Sequence, residues 1–220
     1  MKITRFAQSC ILIEPKEKRI LVDPGSLQLD DSLLRDYWKD IDILLVTHKH
    51  SDHCNAGVIK DITKDPKTKF YTSSEVAKEN PELPANIVKA GAVIEEDNIK
   101  IEVTNAVHGY IPTMTPEKII RESIGFIIDD GEKRLYITGD TICFENGYKC
   151  DVVCIPVSGY GVVMGPFEAA LFAKETGARL VIPVHLDSPK YPVDYDMVKE
   201  NFEKEGLKYR VLKIKESIEI

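Results

Sequence analysis

The sequence predicts a mixed α/β fold in which two β-sheets pack face to face with helices outside. Three observations carry this. Short apolar runs broken by turn residues fill the first half. A hairpin pattern follows around Asp130, Gly131 and Glu132. Apolar strands and helix-like segments then alternate to the end of the chain.

The elements follow in order. "KITRFA", "CILIE" and "RILVD" (residues 2–23) are brief strands, with "EPKEK" turning between the last two. "DILLVT" (42–47) is a compact apolar run, as expected of a strand buried on both faces. "NAGVIKDITKD" (55–65) reads as a short helix and "KFYTS" (69–73) as a strand. "SSEVAKEN" (73–80) reads as a helix with a Ser start and Pro81 just beyond its end. "NIVKA", "AVIEED" and "IKIEVTNAV" (86–107) are strand-like. Residues 109–122, with two prolines and no clean period, read as a long loop or flap. "SIGFIID" and "KRLYITG" form the hairpin. The tail reads as strand "DVVCIPV", helix "PFEAALFAKETG", strand "RLVIPV", helix "DYDMVKENFEKEG" and strand "KYRVLKI". Pro166 suits a first helical turn, and Gly177 and Gly206 suit helix ends. With 220 residues and no repeat or obvious linker, residues 1–220 are expected to form a single domain.

Composition narrows the function classes. The chain is 43% hydrophobic and 30% charged, with a net charge of -7. No basic face is evident, so nucleic acid is not an expected partner. No apolar run approaches the roughly 20 residues that cross a bilayer, so no membrane association is expected. The N-terminus lacks the pattern of a signal peptide, which makes the cytoplasm the default location. Five cysteines offer no disulfide framework. Cys150 and Cys154 read as core thiols of one strand. Cys54 lies beside His53, with packing its expected role.

The histidines carry the chemistry. Three of the five, His48, His50 and His53, fall in "THKHSDH" with Asp52 among them. His108 ends "IEVTNAV", Asp140 ends "LYITG" and His185 ends "LVIPV". Four separate strand runs therefore end in residue types that bind metals. The ends of strands are where loops converge over a rigid support. His48 and His50 are two apart, so an extended stretch points both rings the same way. Asp52 and His53 follow as the chain turns toward a helix, and one loop can serve two neighbouring metals. A carboxylate such as Asp140 can bridge the roughly 3.5–4 Å between such ions. Imidazole and carboxylate suit zinc, with manganese and iron as alternatives. Asp23, before Pro24, serves either a local turn or the support of these residues.

These motifs resemble the metallo-β-lactamase superfamily. "THKHSDH" is similar to its HxHxDH signature, and His108, Asp140 and His185 match its later motifs in order. "QSCILIE", "ILVDPG", "YITGDT", "IPVSGYGVVMGPFEAA" and "VIPVH" resemble its branch of small metal-dependent hydrolases, similar to ascorbate-phosphate lactonase. Gln8 stands where that branch usually has a histidine, and Ser158–Gly161 departs from its usual stretch. The resemblance implies a four-layer αββα sandwich of two mixed sheets with the site at one edge. It implies His48, His50 and His108 around one metal. Asp52, His53 and His185 would surround the other, with Asp140 bridging.

The expected function is therefore hydrolysis by a metal-activated hydroxide, with Asp52 orienting the hydroxide and handling its proton. Two dications, two carboxylates and a hydroxide leave the centre near +1 (4 minus 3), which favours a small anionic ester, lactone or phosphodiester. Lys49, Arg121 and Lys190 are candidates to bind the anion, and Tyr110 and Tyr160 to line the pocket. The alternatives are an RNA-processing nuclease of the same fold and a non-catalytic metal-binding or sensor protein. Homo-oligomerisation is open to the edge strands and the 109–122 flap.

Overall fold

The computed structural model describes residues 1–27, 37–188 and 190–220. They form two sheets. The first is built from β1 (Lys2–Arg5), β2 (Ile11–Glu14), β3 (Ile20–Val22), β4 (Ile43–Val46), β5 (Lys69–Thr72), β6 (Ala85–Ile87) and β13 (Ser217–Glu219), in the order β13-β1-β2-β3-β4-β5-β6. The second is built from β7 (Val93–Glu96), β8 (Ile99–Asn105), β9 (Ile124–Asp129), β10 (Arg134–Ile137), β11 (Val152–Pro156) and β12 (Leu180–Val184), in the order β12-β11-β10-β9-β8-β7. Both sheets mix parallel and antiparallel pairs.

Alternation along the strands produces the layers. In β4, Ile43 and Leu45 join Phe126, Ile128, Leu135 and Ile137 of the other sheet in a core between the sheets. Leu44 and Val46 point the opposite way. They pack with Ile59 of α1 (Ala56–Ile62) and Val76 of α2 (Ser74–Glu79). The second sheet repeats the scheme. Its Tyr136, Val153 and Ile155 meet Phe172 of α3 (Pro166–Thr176) and Phe202 of α4 (Tyr195–Lys204). A strand covered on both faces has to be apolar throughout, which explains "ILLV" and "VVCIP". The result is the expected αββα sandwich.

The helix ends follow local chemistry. Asn55 caps α1 by accepting from the N–H groups of Gly57 and Val58, and Asp194 caps α4 through those of Asp196 and Met197. Gly177 ends α3 with φ 70°. Residues 109–122 hold only one 3-10 turn, Pro116–Lys118, as expected of a long loop or flap.

The C-terminal segment differs from the expectation. "KYRVLKI" (208–214) makes a single bridge, Tyr209 to Val181, in place of a strand. The ladder forms later, where β13 pairs antiparallel with β1. The reason is topological. β12 edges one sheet and β13 the other, so the tail crosses the side of the sandwich and cannot follow one ladder. Leu212 is fully buried in the inter-sheet core, and its carbonyl accepts from Nη1 of buried Arg5.

Strand directions place the site. β1, β3 and β4 run the same way, because β1 and β3 each pair antiparallel with β2 and β3 is parallel to β4. β8, β10 and β12 likewise share a direction. The segments following these strands carry Gln8, Asp23, residues 47–53, His108, Asp140 and His185.

Candidate metal centre

The structure brings all seven sequence-predicted residues together. Ring or carboxylate atoms of His48, His50 and His108 lie within 4.8 Å of one another. The same holds for His48, His53 and Asp140, and for Asp52, His53 and His185. Oδ2 of Asp140 is central: it lies 3.3 Å from Nε2 of His53 and of His185, 3.8 Å from that of His108 and 4.0 Å from that of His48. Oδ2 of Asp52 is 3.3 Å from Nε2 of His185 and 3.7 Å from Nε2 of His53.

Hydrogen bonds fix which nitrogen four of the five rings turn inward. Asp23 is fully buried, and its Oδ2 accepts from Nδ1 of His53 at 2.8 Å. The Thr47 hydroxyl donates its one proton to the same oxygen at 2.8 Å, so it accepts from Nδ1 of His48 at 3.0 Å. The Gly109 carbonyl accepts from Nδ1 of His108, and the Lys118 carbonyl from Nε2 of His50, each at 2.8 Å. His48, His53 and His108 thus present Nε2 to the centre, and His50 presents Nδ1. Of the two readings of Asp23, support of the histidines is realised, and one carboxylate orients two rings.

Two close approaches shape the loops. A Cβ on Gly25 would sit 1.8 Å from the carbonyl oxygen of Asp52, so only glycine lets the turn after Asp23 seat the histidine loop. Gly139 has φ +65° and brings the end of β10 against the Thr47 side chain, which delivers Asp140 beside His48.

A cavity of about 580 Å³ opens over these residues. Gln8, Asp52 and Asp140 help to line its floor. The 109–122 flap contributes Ile111, Met114 and Lys118, and Tyr160, Tyr191 and Lys190 also line the cavity.

A family model described as a β-lactamase superfamily domain matches residues 2–185. The chain belongs to the β-lactamase superfamily. A UPF0173 metal-dependent hydrolase of Korarchaeum cryptofilum is 29% identical over 225 residues, covering 98% of this chain and 96% of the relative. Igni18, a metallo hydrolase of the hyperthermophilic archaeon Ignicoccus hospitalis, is 25% identical with a TM-score of 0.80, covering 99% of this chain and 97% of its own. The metallo-β-lactamase fold protein YhfI of Bacillus subtilis shares the fold, with a TM-score of 0.77 at 17% identity, covering 99% of this chain and 98% of its own.

In this member of the superfamily the donor set fits metal ions. Nε2 of His48, His53 and His108 and Oδ1 of Asp140 are buried with no hydrogen-bond partner among the described residues. Buried polar atoms are rarely left so, and a shared cation satisfies them together. Burial holds His48 and His108 below the usual imidazole range, so both keep a lone pair. Burial alone would raise Asp140, yet facing His185 and His53 hold its carboxyl well below the usual range. Asp52 follows the same pattern: burial is outweighed by His53 and by the hydrogen bond from His185.

The other sequence candidates divide. Lys190 and Tyr160 line the cavity. Lys49 is turned away and pairs with Glu75 and Glu79. The Arg121 N–H donates to Glu75, and neither Arg121 nor Tyr110 is among the lining residues. Cys54 packs in the outer core of the first sheet. Sequence reasoning missed three supports. Thr47 could have been suspected from its place directly before His48. Asp187 holds Gln8 from two residues beyond His185. Glu75, whose carboxylate accepts from the N–H groups of Arg121 and Glu122 at the flap base, left no signal.

Proposed function

We propose that this protein hydrolyses a small anionic ester, lactone or phosphodiester, using water activated by two divalent metal ions held by His48, His50, Asp52, His53, His108, Asp140 and His185. Its family makes it a metal-dependent hydrolase. The observation that carries the finer reading is the set of inward, buried nitrogen and oxygen atoms around Asp140 that have no hydrogen-bond partner among the described residues. His48, His50 and His108 would take one ion; Asp52, His53 and His185 would take the other, with Asp140 between. The nitrogen and carboxylate donors suit zinc first, and also manganese or iron. Bound there, the ions would supply an acidified water and an electrophilic pull on the scissile group.

The protein's own groups do the rest. Asp52 stays ionised and lines the cavity, so its carboxylate is placed to orient the attacking water and accept its proton. Gln8 holds that carboxylate through its amide, with Nε2 3.2 Å from Oδ2. Lys118 and Lys190 at the cavity wall attract an anionic substrate despite the net charge of -7. Residues of the 109–122 segment and the Tyr160–Tyr191 pair line the space in which the reacting bond would lie.

The test is metal analysis joined to a turnover screen over esters, lactones and phosphodiesters. Wild-type protein is expected to carry two equivalents of metal and to hydrolyse at least one class. His108→Ala is expected to lose metal and turnover together. Unchanged metal content in His108→Ala would overturn the assignment.

A further inference from the structure

A second cavity, about 510 Å³ in volume, adjoins the metal-site cavity, and Tyr160 lines both. Its lining is largely apolar, including Ile142, Met164, Val193 and Met197. Ile142 and Met197 are 37% and 50% exposed, so apolar surface is left open there. Tyr160, common to both cavities, stacks on Tyr191 of the first: the rings lie 4.4 Å apart and 4° from parallel. Gly159 and Gly161 flank Tyr160.

The two cavities also share backbone. Asp140 lines the first, and Ile142 and Cys143 line the second. Three residues span at most about 11 Å, so a molecule reacting beside Asp140 has the groove within reach. Charge divides the two. Lys118 and Lys190 line the first beside Asp52 and Asp140, the carboxylates proposed to be offset by bound cations, whereas Glu168 and Asp194 line the second without such cations. The Asp194 carboxylate is committed to capping α4. An anionic group therefore belongs on the metal side and a neutral apolar group in the groove.

We infer that the groove is a subsite for a neutral apolar arm of the substrate, an alkyl or acyl chain that passes Tyr160 and ends against Met197 and Cys143. This rests on the hydrolase reading and adds a substrate class to it: amphipathic molecules with the reacting bond near the anionic end. The volume falls within the range of small-molecule sites, and an apolar lining rewards each methylene removed from water.

Two measurements test it. With p-nitrophenyl esters from acetate to octanoate, kcat/KM of the metal-loaded protein is expected to rise by up to roughly fourfold per methylene until the groove fills. Met197→Glu is expected to flatten that series. Separately, alkylation of Cys143 by iodoacetamide, read by peptide mass, is expected to slow in the presence of octanamide. The second measurement needs no turnover. If Cys143 is alkylated equally fast with and without octanamide, the groove is not a subsite. A flat series on protein that hydrolyses the acetate ester also overturns the inference while leaving the hydrolase reading intact. Slowed alkylation without hydrolysis of any ester upholds the groove and counts against that reading.

Discussion

The side-chain amide of Gln8 donates to the carboxylate of Asp52, joining the turn after β1 to the histidine loop after β4. Its orientation is forced. The backbone N–H of Asp187 lies 3.2 Å from Oε1 of Gln8 and can only donate, so the amide oxygen must face it and the NH₂ group must face Asp52. The Gln8 backbone is tied as firmly: its N–H donates to Asp187 Oδ2 at 2.9 Å and its carbonyl accepts from the His185 N–H at 3.0 Å. Buried Arg5 holds the same Asp187 oxygen. Gln8→Met keeps the volume and removes the donor. It is expected to fold normally and to bind metal about 10–100-fold more weakly, as read by competition with a chromogenic chelator.

Asp23 accepts three hydrogen bonds, from the N–H and hydroxyl of Thr47 and from His53. Asp23→Ala strands those donors in a buried site, at a cost of about 1–3 kcal/mol for each left unpaired. Chemical denaturation of the metal-free variant is expected to show that loss. Metal titration is expected to show weaker binding at both positions, because His48 and His53 lose their orientation together.

Gly25→Ala places a methyl group where the Asp52 carbonyl already sits. The collision is with backbone, so the loop must move. Thermal unfolding is expected to shift to lower temperature, corresponding to about 1–3 kcal/mol. Metal content is expected to fall with it, since the displaced segment carries Asp52 and His53.

Metal loading is expected to release protons. Burial alone would lower His185, but the facing Asp140 and Asp52 carboxylates push it up to about 10, and His53 is raised by Asp140, Asp52 and Asp23. Both rings are therefore protonated in metal-free protein at pH 7, and each must lose its proton to bind a cation. Apparent affinity should rise with pH across the neutral range. Titration calorimetry in buffers of different ionisation enthalpy checks the sign; proton uptake would contradict it.

Glu75 and Glu122 clamp the flap base reciprocally. Glu75 accepts from the N–H groups of Arg121 and Glu122, and Glu122 accepts from Ser74 and from the Glu75 N–H. Glu75→Ala is expected to speed hydrogen exchange at the Arg121 and Glu122 amides by one to two orders of magnitude, roughly the effect of losing a charged acceptor. It should leave exchange in β9 beyond Ile124 unchanged.

Most of this protein was legible in its residues. "ILLV" and "VVCIP" announced strands covered on both faces, and "THKHSDH", His108, Asp140 and His185 announced a centre, because metal-binding side chains at the ends of apolar strands leave a strong local pattern. The tail was not legible. "KYRVLKI" alternates like a strand, yet Leu212 is drawn into the core while the chain crosses between the two sheets, and no local pattern encodes which edge it will meet. The supporting roles of Gln8, Asp187 and Thr47 were equally hidden, whereas support of the histidines was one of the two readings open for Asp23. Sequence alone determined most of the elements, the family and the seven converging residues, since periodicity and residue chemistry are local properties. Only the tertiary structure decided which nitrogen of four of the five rings faces inward, that Lys49 is spent on Glu75 and Glu79, and that an apolar groove lies beyond Tyr160. Each of these depends on atoms far apart in the chain, and distance in space is what folding sets.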